Sequence, residues 1–339
     1  MKKVRVEDAV GAVLGHDLTK IVPGEFKGPA FKKGHIIKKE DIPILKGMGK
    51  NHIYVIDLKE HQIHEDEAAL RIGNAVGGEG IYLKGPSEGK VSLRAKYKGL
   101  LKINLEALET INSIELIILA TLHNNTLVKK DEQVAGTRII PLVTEKSKIE
   151  RVEDISKKLG TVIKIKRLKP KKIGIVVTGT EVYEGRITDK FGPILKNKVE
   201  NYGGELVDIR YAPDDSSQIE KVIEEFLKED VEIVFASGGM SVDADDVTPK
   251  AIKNVSDNIV TYGSPVLPGA MFMLAYRGKK AIIGIPACGM YYKTTVFDLV
   301  FPRILAGEIL SRKDIISLAH GGLCLNCDIC NYPICPFGK

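Results

Sequence analysis

Residues 231–249 constrain this chain most. An apolar, β-branched run at 231–235 leads into Ser237-Gly238-Gly239, then Ser241, Asp243, Asp245 and Asp246, and then Thr248-Pro249. The run predicts a buried strand and the paired glycines a tight turn. Thr248 is placed to cap a following helix that Pro249 opens. A strand that ends in a glycine turn, releases carboxylates and restarts as a helix suits a phosphorylated ligand. Free backbone N–H groups at such a turn attract phosphate, and nearby carboxylates hold the divalent cation that accompanies it. The serine is not set as a nucleophile, because no G-x-S-x-G pattern surrounds it.

The flanking pattern supplies the frame for that turn. Strands are predicted at 173–177, 206–211, 231–235, 260–262 and 281–285. Between them lie helices at about 193–202, at about 216–227 (capped by Ser216 or Ser217), from 249 onward, and at about 291–306. Strands alternating with helices predict an α/β domain with a mostly parallel sheet covered by helices. The first 168 residues are less regular. Strands at 13–18, 35–37, 53–56, 100–103 and 136–142, with helices near 40–48, 64–76 and 105–113, read as an α+β region, with room for two subdomains. A basic, Pro-containing linker follows at 167–172, so the expected division is 1–168, 169–312 and a cysteine-rich tail at 313–339.

Composition limits the partners. The 50 basic and 44 acidic residues leave a net charge of only +6, the basic blocks are short, and Trp is absent. Neither a nucleic-acid-binding stripe nor a membrane-spanning run is expected. Without a signal-like N-terminus or a disulfide framework, the expected compartment is the cytoplasm.

Three short segments, in order, resemble the molybdopterin-binding (molybdenum cofactor biosynthesis) domain. They are Thr178-Gly179-Thr180-Glu181 with Asp189 and Gly192-Pro193 downstream; Ser237-Gly238-Gly239 with Asp246 and Thr248-Pro249; and Leu267-Pro268-Gly269 followed by Gly284-Ile285-Pro286. The likeness is to the molybdopterin molybdenumtransferase and adenylyltransferase group. It implies a pterin phosphate bound at the C-terminal ends of the strands, with Asp246 tied to Mg²⁺ and to molybdate insertion and Asp189 shaping the pterin site. The implied ligand contacts are Thr178, Gly179, Thr180, Glu181, Asp189, Ser237, Gly238, Gly239, Ser241, Thr248, Pro268 and Gly269, with Asp246 as the implied catalytic acid; Asp243, read from the acidic turn itself, is expected beside it at the Mg²⁺. The implied substrates are molybdopterin or its adenylated form and molybdate, and the implied assembly is a homo-oligomer. Asp243 departs from the pattern, standing where glycine is common, and Pro286-Ala287-Cys288-Gly289 departs from the transferases' Pro-Gly-Asn-Pro. A transferase therefore stands beside two alternatives at the same pterin site: a carrier delivering finished cofactor to a molybdenum enzyme, and a redox-responsive regulator.

Cys324, Cys327, Cys330 and Cys335 follow C-x2-C-x2-C-x4-C, with Pro336 after the last. Thiolates at that spacing wrap around one centre, so the tail is expected to hold a [4Fe–4S] cluster or a zinc ion. Elsewhere the histidines suggest little. His61 and His64, beside Glu65, Asp66 and Glu67, read as an exposed acidic helix start meeting the helix dipole, and Cys288, in a late loop near the predicted cleft, reads as a buried free thiol, with a ligand contact as the alternative.

Overall fold

The computed structural model describes residues 1–22 and 26–339. The chain divides into two compact units: residues 1–97, 101–123 and 128–165 form one, and 98–100, 124–127 and 166–339 the other. Among the described residues, no helix is long and apolar enough to cross a membrane.

The N-terminal unit has two cores. Val6, Leu14, Ile37, Leu45 and Ile53 form the smaller one, around the antiparallel pair Lys2–Arg5 and His52–Val55. The larger core packs helices Glu65–Val76 and Lys146–Leu159 with an antiparallel sheet in the order 81–87, 90–95, 133–139, 117–121. The helices at Asp41–Gly47, Glu65–Val76 and Leu105–Asn112 lie where the sequence pattern places them. The helix at Lys146–Leu159 is not among those the pattern predicts; its sequence is dominated by Lys, Glu and Ser, and of its residues only Ile149, Val152 and Ser156 are buried.

The helix start at residue 65 corrects one expectation in part: His61 and Glu67 are exposed and Asp66 is half-buried, but His64 and Glu65 are buried. His64 and Glu65 are both only 3% accessible. His64 Nε2–H donates to the Gly15 carbonyl at 2.6 Å, and its Nδ1 accepts from the Lys33 ammonium at 2.7 Å. Burial lowers the His64 pKa and raises that of Glu65. The residues are polar supports of the fold, and sequence periodicity cannot show which side of a helix start the chain covers.

The second unit is built on a six-stranded sheet. Its strands are β1 Lys172–Thr178, β2 Glu205–Ala212, β3 Ile233–Ser237, β4 Asn258–Tyr262, β5 Met273–Arg277 and β6 Lys280–Ile285, arranged β2-β1-β3-β6-β5-β4. The first four in that order run parallel, in register Ile175 to Phe235 to Ile283. β5 and β4 close the sheet antiparallel. Four helices cover it: α1 Phe191–Tyr202, α2 Ser216–Lys228, α3 Thr248–Asn254 and α4 Val296–Leu305.

Alternation along the strands fills both faces, as a sheet sandwiched by helices requires. Ile173, Ile175, Ile233, Phe235 and Ile283 pack with Leu195, Phe297 and Phe301 on one side. Val176, Val234, Ala236 and Ile282 pack with Ile223, Phe226 and Ile252 on the other. Three local expectations need correction. β5 is absent from the predicted strands, because its apolar residues Met273-Leu274-Ala275-Tyr276 include none of the β-branched type that marks β1 and β3. The N-cap of α2 is Asp215, which accepts from the Gln218 N–H at 2.9 Å, and neither serine caps it. Thr248 does not cap α3; it is fully buried and is the helix's first residue.

The last residues group with this unit. Phe337 is buried in the same core as Phe297 and Phe301, with Cys324, Tyr332 and Cys335 packed against it. The Tyr332 hydroxyl donates to the Asp298 carbonyl at 2.9 Å, and the Gly338 N–H donates to the Gly321 carbonyl at 2.9 Å.

Candidate functional site

The chain runs from β1 through α1 to β2 on one side, then through α2 to β3 on the other side of β1. The C-terminal ends of β1 and β3 therefore flank a topological switch point, where open α/β sheets take ligands. Thr178 ends β1 and Ser237 ends β3. Their turns are locked together from beneath. The Thr178 hydroxyl lies 3.2 Å from the Ser237 carbonyl, to which it donates, and 3.1 Å from the Thr248 hydroxyl. Gly238 follows with φ +95°, and a Cβ there would sit 2.3 Å from the Thr178 carbonyl oxygen. Only glycine lets the two turns approach this closely.

Above that floor opens a cleft of about 670 Å³. Gly238, Gly239, Ser241, Asp243 and Asp246 line it from β3, and Pro268 and Gly269 line it from the loop between β4 and β5. Asp246 is half-buried and Asp243 exposed. The two are joined through the main chain: the Asp246 N–H donates to the Asp243 carbonyl at 3.0 Å, and the Asp243 N–H donates to Asp246 Oδ2 at 3.3 Å. Tyr262 ties the turn to β4, its hydroxyl 3.0 Å from the Met240 carbonyl and 3.2 Å from that of Ser241. Burial, and then the charge of Asp246, raises the Tyr262 pKa, so the phenol stays a hydrogen-bond donor. α3 is only seven residues long, so any phosphate is met by the glycine turn and the acids rather than by a helix dipole.

Gly269 fixes the opposite wall. Its φ is +133°, and a Cβ there would lie 2.4 Å from Val296 Cγ1 at the start of α4. The Val296 N–H donates to the Pro268 carbonyl at 3.2 Å.

The remaining expected contacts lie elsewhere around the switch point. Thr178, Ser237 and Thr248 are buried under the cleft with protein partners. Thr180 and Asp214 form a reciprocal latch: the Thr180 N–H donates to Asp214 Oδ2 at 2.9 Å, and the Asp214 N–H donates to the Thr180 hydroxyl at 3.1 Å. Glu181 is exposed, its carboxylate placed so that a Cβ on Gly179 would be 3.3 Å from Oε1. Asp189 accepts from the N–H groups of Phe191 (2.7 Å) and Gly192 (3.1 Å) and from the Tyr211 hydroxyl at 3.2 Å, which anchors the start of α1.

Met271 and Tyr292 line the cleft and escape a reading of the sequence; Leu267 and Pro286, from the recognised loop segments, and Cys288 line it with them. Cys288 is half-buried at the wall, not sealed in the core, and burial raises its pKa, which keeps the thiol protonated. Leu323, Cys324 and Asn326 also line it. Nothing in the sequence links that tail segment to residues some eighty positions earlier.

A second cavity, of about 310 Å³, contains Cys324, Cys327, Cys330 and Cys335 in its lining. All four thiols are free. They suit zinc or an iron–sulfur cluster in chemical type and in sharing one cavity. Their side chains stand apart, however: among the described residues, no three Cys, His, Asp or Glu groups are gathered as a metal would require. The pair Asp243 and Asp246 fits Mg²⁺, which takes one or two carboxylates and completes its shell with phosphate and water.

Residues 174–306 match the family model described as "Probable molybdopterin binding domain". Residues 3–57 match a domain of unknown function (DUF8806). Over 79 residues the chain is 37% identical to a CinA-like protein of Mycobacterium marinum, covering 23% of this chain and 19% of that one. Over 75 residues it is 40% identical to a CinA-like protein of a Mycobacterium species, strain MCS, covering 22% and 18%. The chain thus spans about a fifth of the length of the curated relatives it matches. Among solved structures, the molybdopterin biosynthesis enzyme MoaB of Thermus thermophilus aligns with TM-score 0.35 and 17% identity, over 41% of this chain and 98% of its own. The tungsten cofactor synthesizing protein MoaB of Pyrococcus furiosus aligns with TM-score 0.35 and 19% identity, over 42% and 98%.

Proposed function

We propose, for a chain whose residues 174–306 form a domain of the molybdopterin-binding family, that the cleft above β3 binds molybdopterin or its adenylated form and assists molybdate insertion in molybdenum cofactor biosynthesis. One observation carries the reading. The glycine turn, two carboxylates and the Leu267–Gly269 loop, far apart in sequence, line a single cleft at the C-terminal end of the sheet. The Gly238–Gly239 backbone receives the phosphate, and Asp246, braced by Asp243, holds Mg²⁺. When bound, Mg²⁺ neutralises phosphate charge and polarises the bond to the departing AMP. Tyr262 holds the acidic turn in place. The apolar wall of Leu267, Met271 and Tyr292 takes the uncharged part of the ligand. The four C-terminal thiols serve as ligands of a [4Fe–4S] cluster or of Zn²⁺. The protein works in the cytoplasm as a homo-oligomer.

The test is AMP release from adenylated molybdopterin by the full chain with Mg²⁺ and molybdate. Asp246→Asn should reduce the rate by roughly a hundredfold or more, the scale of removing one preorganised electrostatic group, while leaving the melting temperature unchanged. Undiminished AMP release by that variant would remove Asp246 from the chemistry. Tight pterin binding without AMP release from the parent protein would identify a carrier that hands on finished cofactor.

A further inference from the structure

The cysteine cavity and the ligand cleft are not separate features. Tyr292, Leu323, Cys324 and Asn326 line both. The shared strip is stitched to the cleft loop by the main chain: the Cys324 N–H donates to the Leu267 carbonyl and the Leu267 N–H to the Gly322 carbonyl, each at 2.8 Å. A second route starts at Cys330, whose thiol lies 3.3 Å from the Thr294 hydroxyl. Thr294 precedes Thr295, the cap of α4, and the next residue, Val296, donates to Pro268. Two of the four cysteines thus connect, Cys324 through its main chain and Cys330 through its thiol, to the adjacent residues Leu267 and Pro268.

We infer that a thiolate-bound metal centre in the cysteine cavity forms part of the wall of the pterin cleft, so that filling either site strengthens binding at the other. This rests on the pterin and thiol-metal readings given above. Thiolate–metal bonds of about 2.3 Å require the four sulfurs to converge on one point. Cys327 is exposed and flanked by the exposed Leu325 and Ile329, so no core packing holds that part of the tail. Cys324 and Cys335 pack against the core and Phe337 is buried within it, so the exposed segment closes onto the anchored thiols. A metal bonded to Cys324 ties the segment that already hydrogen-bonds Leu267 to the rest of the tail, and so restrains the Leu267 loop further. The tail meets the cleft at its apolar side, beside Leu267 and Tyr292, whereas the charged turn comes from β3. Ordering of the wall, and not charge, therefore sets the sign of the coupling. By linkage the effect is mutual.

The experiment uses the full chain, purified anaerobically, before and after metal removal by a chelator. Iron, sulfide and zinc contents distinguish a cluster from zinc. Two readouts follow: the molybdopterin dissociation constant, and amide hydrogen exchange over residues 265–272 without any pterin. Metal removal should weaken pterin binding about tenfold and speed exchange at the Leu267 amide by a similar factor. Cys327→Ser, which alters the cysteine cavity and lies outside the cleft lining and both hydrogen-bonded routes, should reproduce both changes. Cys288→Ser, which touches only the cleft, should leave metal content unaltered. Exchange and affinity that ignore the metal, or a protein that takes up neither iron nor zinc on reconstitution, would overturn the inference. Metal-dependent protection of Leu267 in a protein that binds no pterin in either form would uphold the coupling and bring down the pterin reading instead.

Discussion

The turn after β3 and the C-terminal tail both present reactive groups to the same cleft, yet they are held in opposite ways. Under the turn, Thr178, Ser237 and Thr248 are buried and bonded to one another, so Gly238, Gly239 and Asp246 stand on a floor set by the fold. The tail is anchored at its two ends by Phe337 and by the backbone bonds of Cys324 and Gly338. Its middle, from Leu325 to Ile329, is exposed. A ligand at the turn meets a preorganised surface, which spares the cost of ordering it. A ligand at the thiols must itself supply the order.

The sharpest way to break this contrast is at the tail's anchor. Phe337→Ala should cost about 3–5 kcal/mol of unfolding free energy, the range for a buried phenylalanine. A loss below about 0.5 kcal/mol in denaturant titration would show that the tail frays and contributes nothing to the core. Next in size is Gly238→Ala, where the positive φ and the approach to the Thr178 carbonyl predict a loss of about 2–3 kcal/mol. Unchanged stability there would mean that the turn is not locked. Thr178→Val should cost about 1 kcal/mol, because it leaves buried oxygens of Ser237 and Thr248 without their partner. Its pterin affinity should fall as well, since the floor under Gly238 loosens.

The smallest expected effect concerns acid stability next to the tail. Burial alone would raise the Asp314 pKa. Hydrogen bonds from Ser311 and the Arg303 guanidinium outweigh it and bring the value from 3.8 to about 2. A lowered carboxylate pKa stabilises the fold above the unfolded-state value, and that contribution fades as pH falls through about 2. Asp314→Asn should therefore reduce stability at neutral pH and flatten its decline between about pH 4 and 2. A variant with the parent's acid profile would exclude this aspartate.

Most strands and helices of the second unit are legible in the sequence because apolar β-branched runs and helical spacing are local. Ile173 to Val177 form such a run whatever they pack against. Ser237-Gly238-Gly239 is legible for the same reason, since a glycine turn after a buried strand is a short-range signal. Capping is less so. Thr248 and Ser216 have the right chemistry for caps, but Thr248 is drawn inward by Thr178 and Asp215 occupies the cap of α2 instead. β5 contains no β-branched residue and gains its identity by pairing with β4 on one side and β6 on the other.

The sequence alone determined which residues carry chemistry: the glycine pair, the acids after it, the Leu267-Pro268-Gly269 loop and the four cysteines. Residue type and short spacing suffice for that. Tertiary structure alone decided which of them meet. It placed three of the expected hydroxyls beneath the cleft, set Cys288 at its wall, and brought Gly322 and Cys324 to Leu267 through one main-chain hydrogen bond each. Those contacts join segments far apart in the chain, and burial between distant segments leaves no periodicity in either of them.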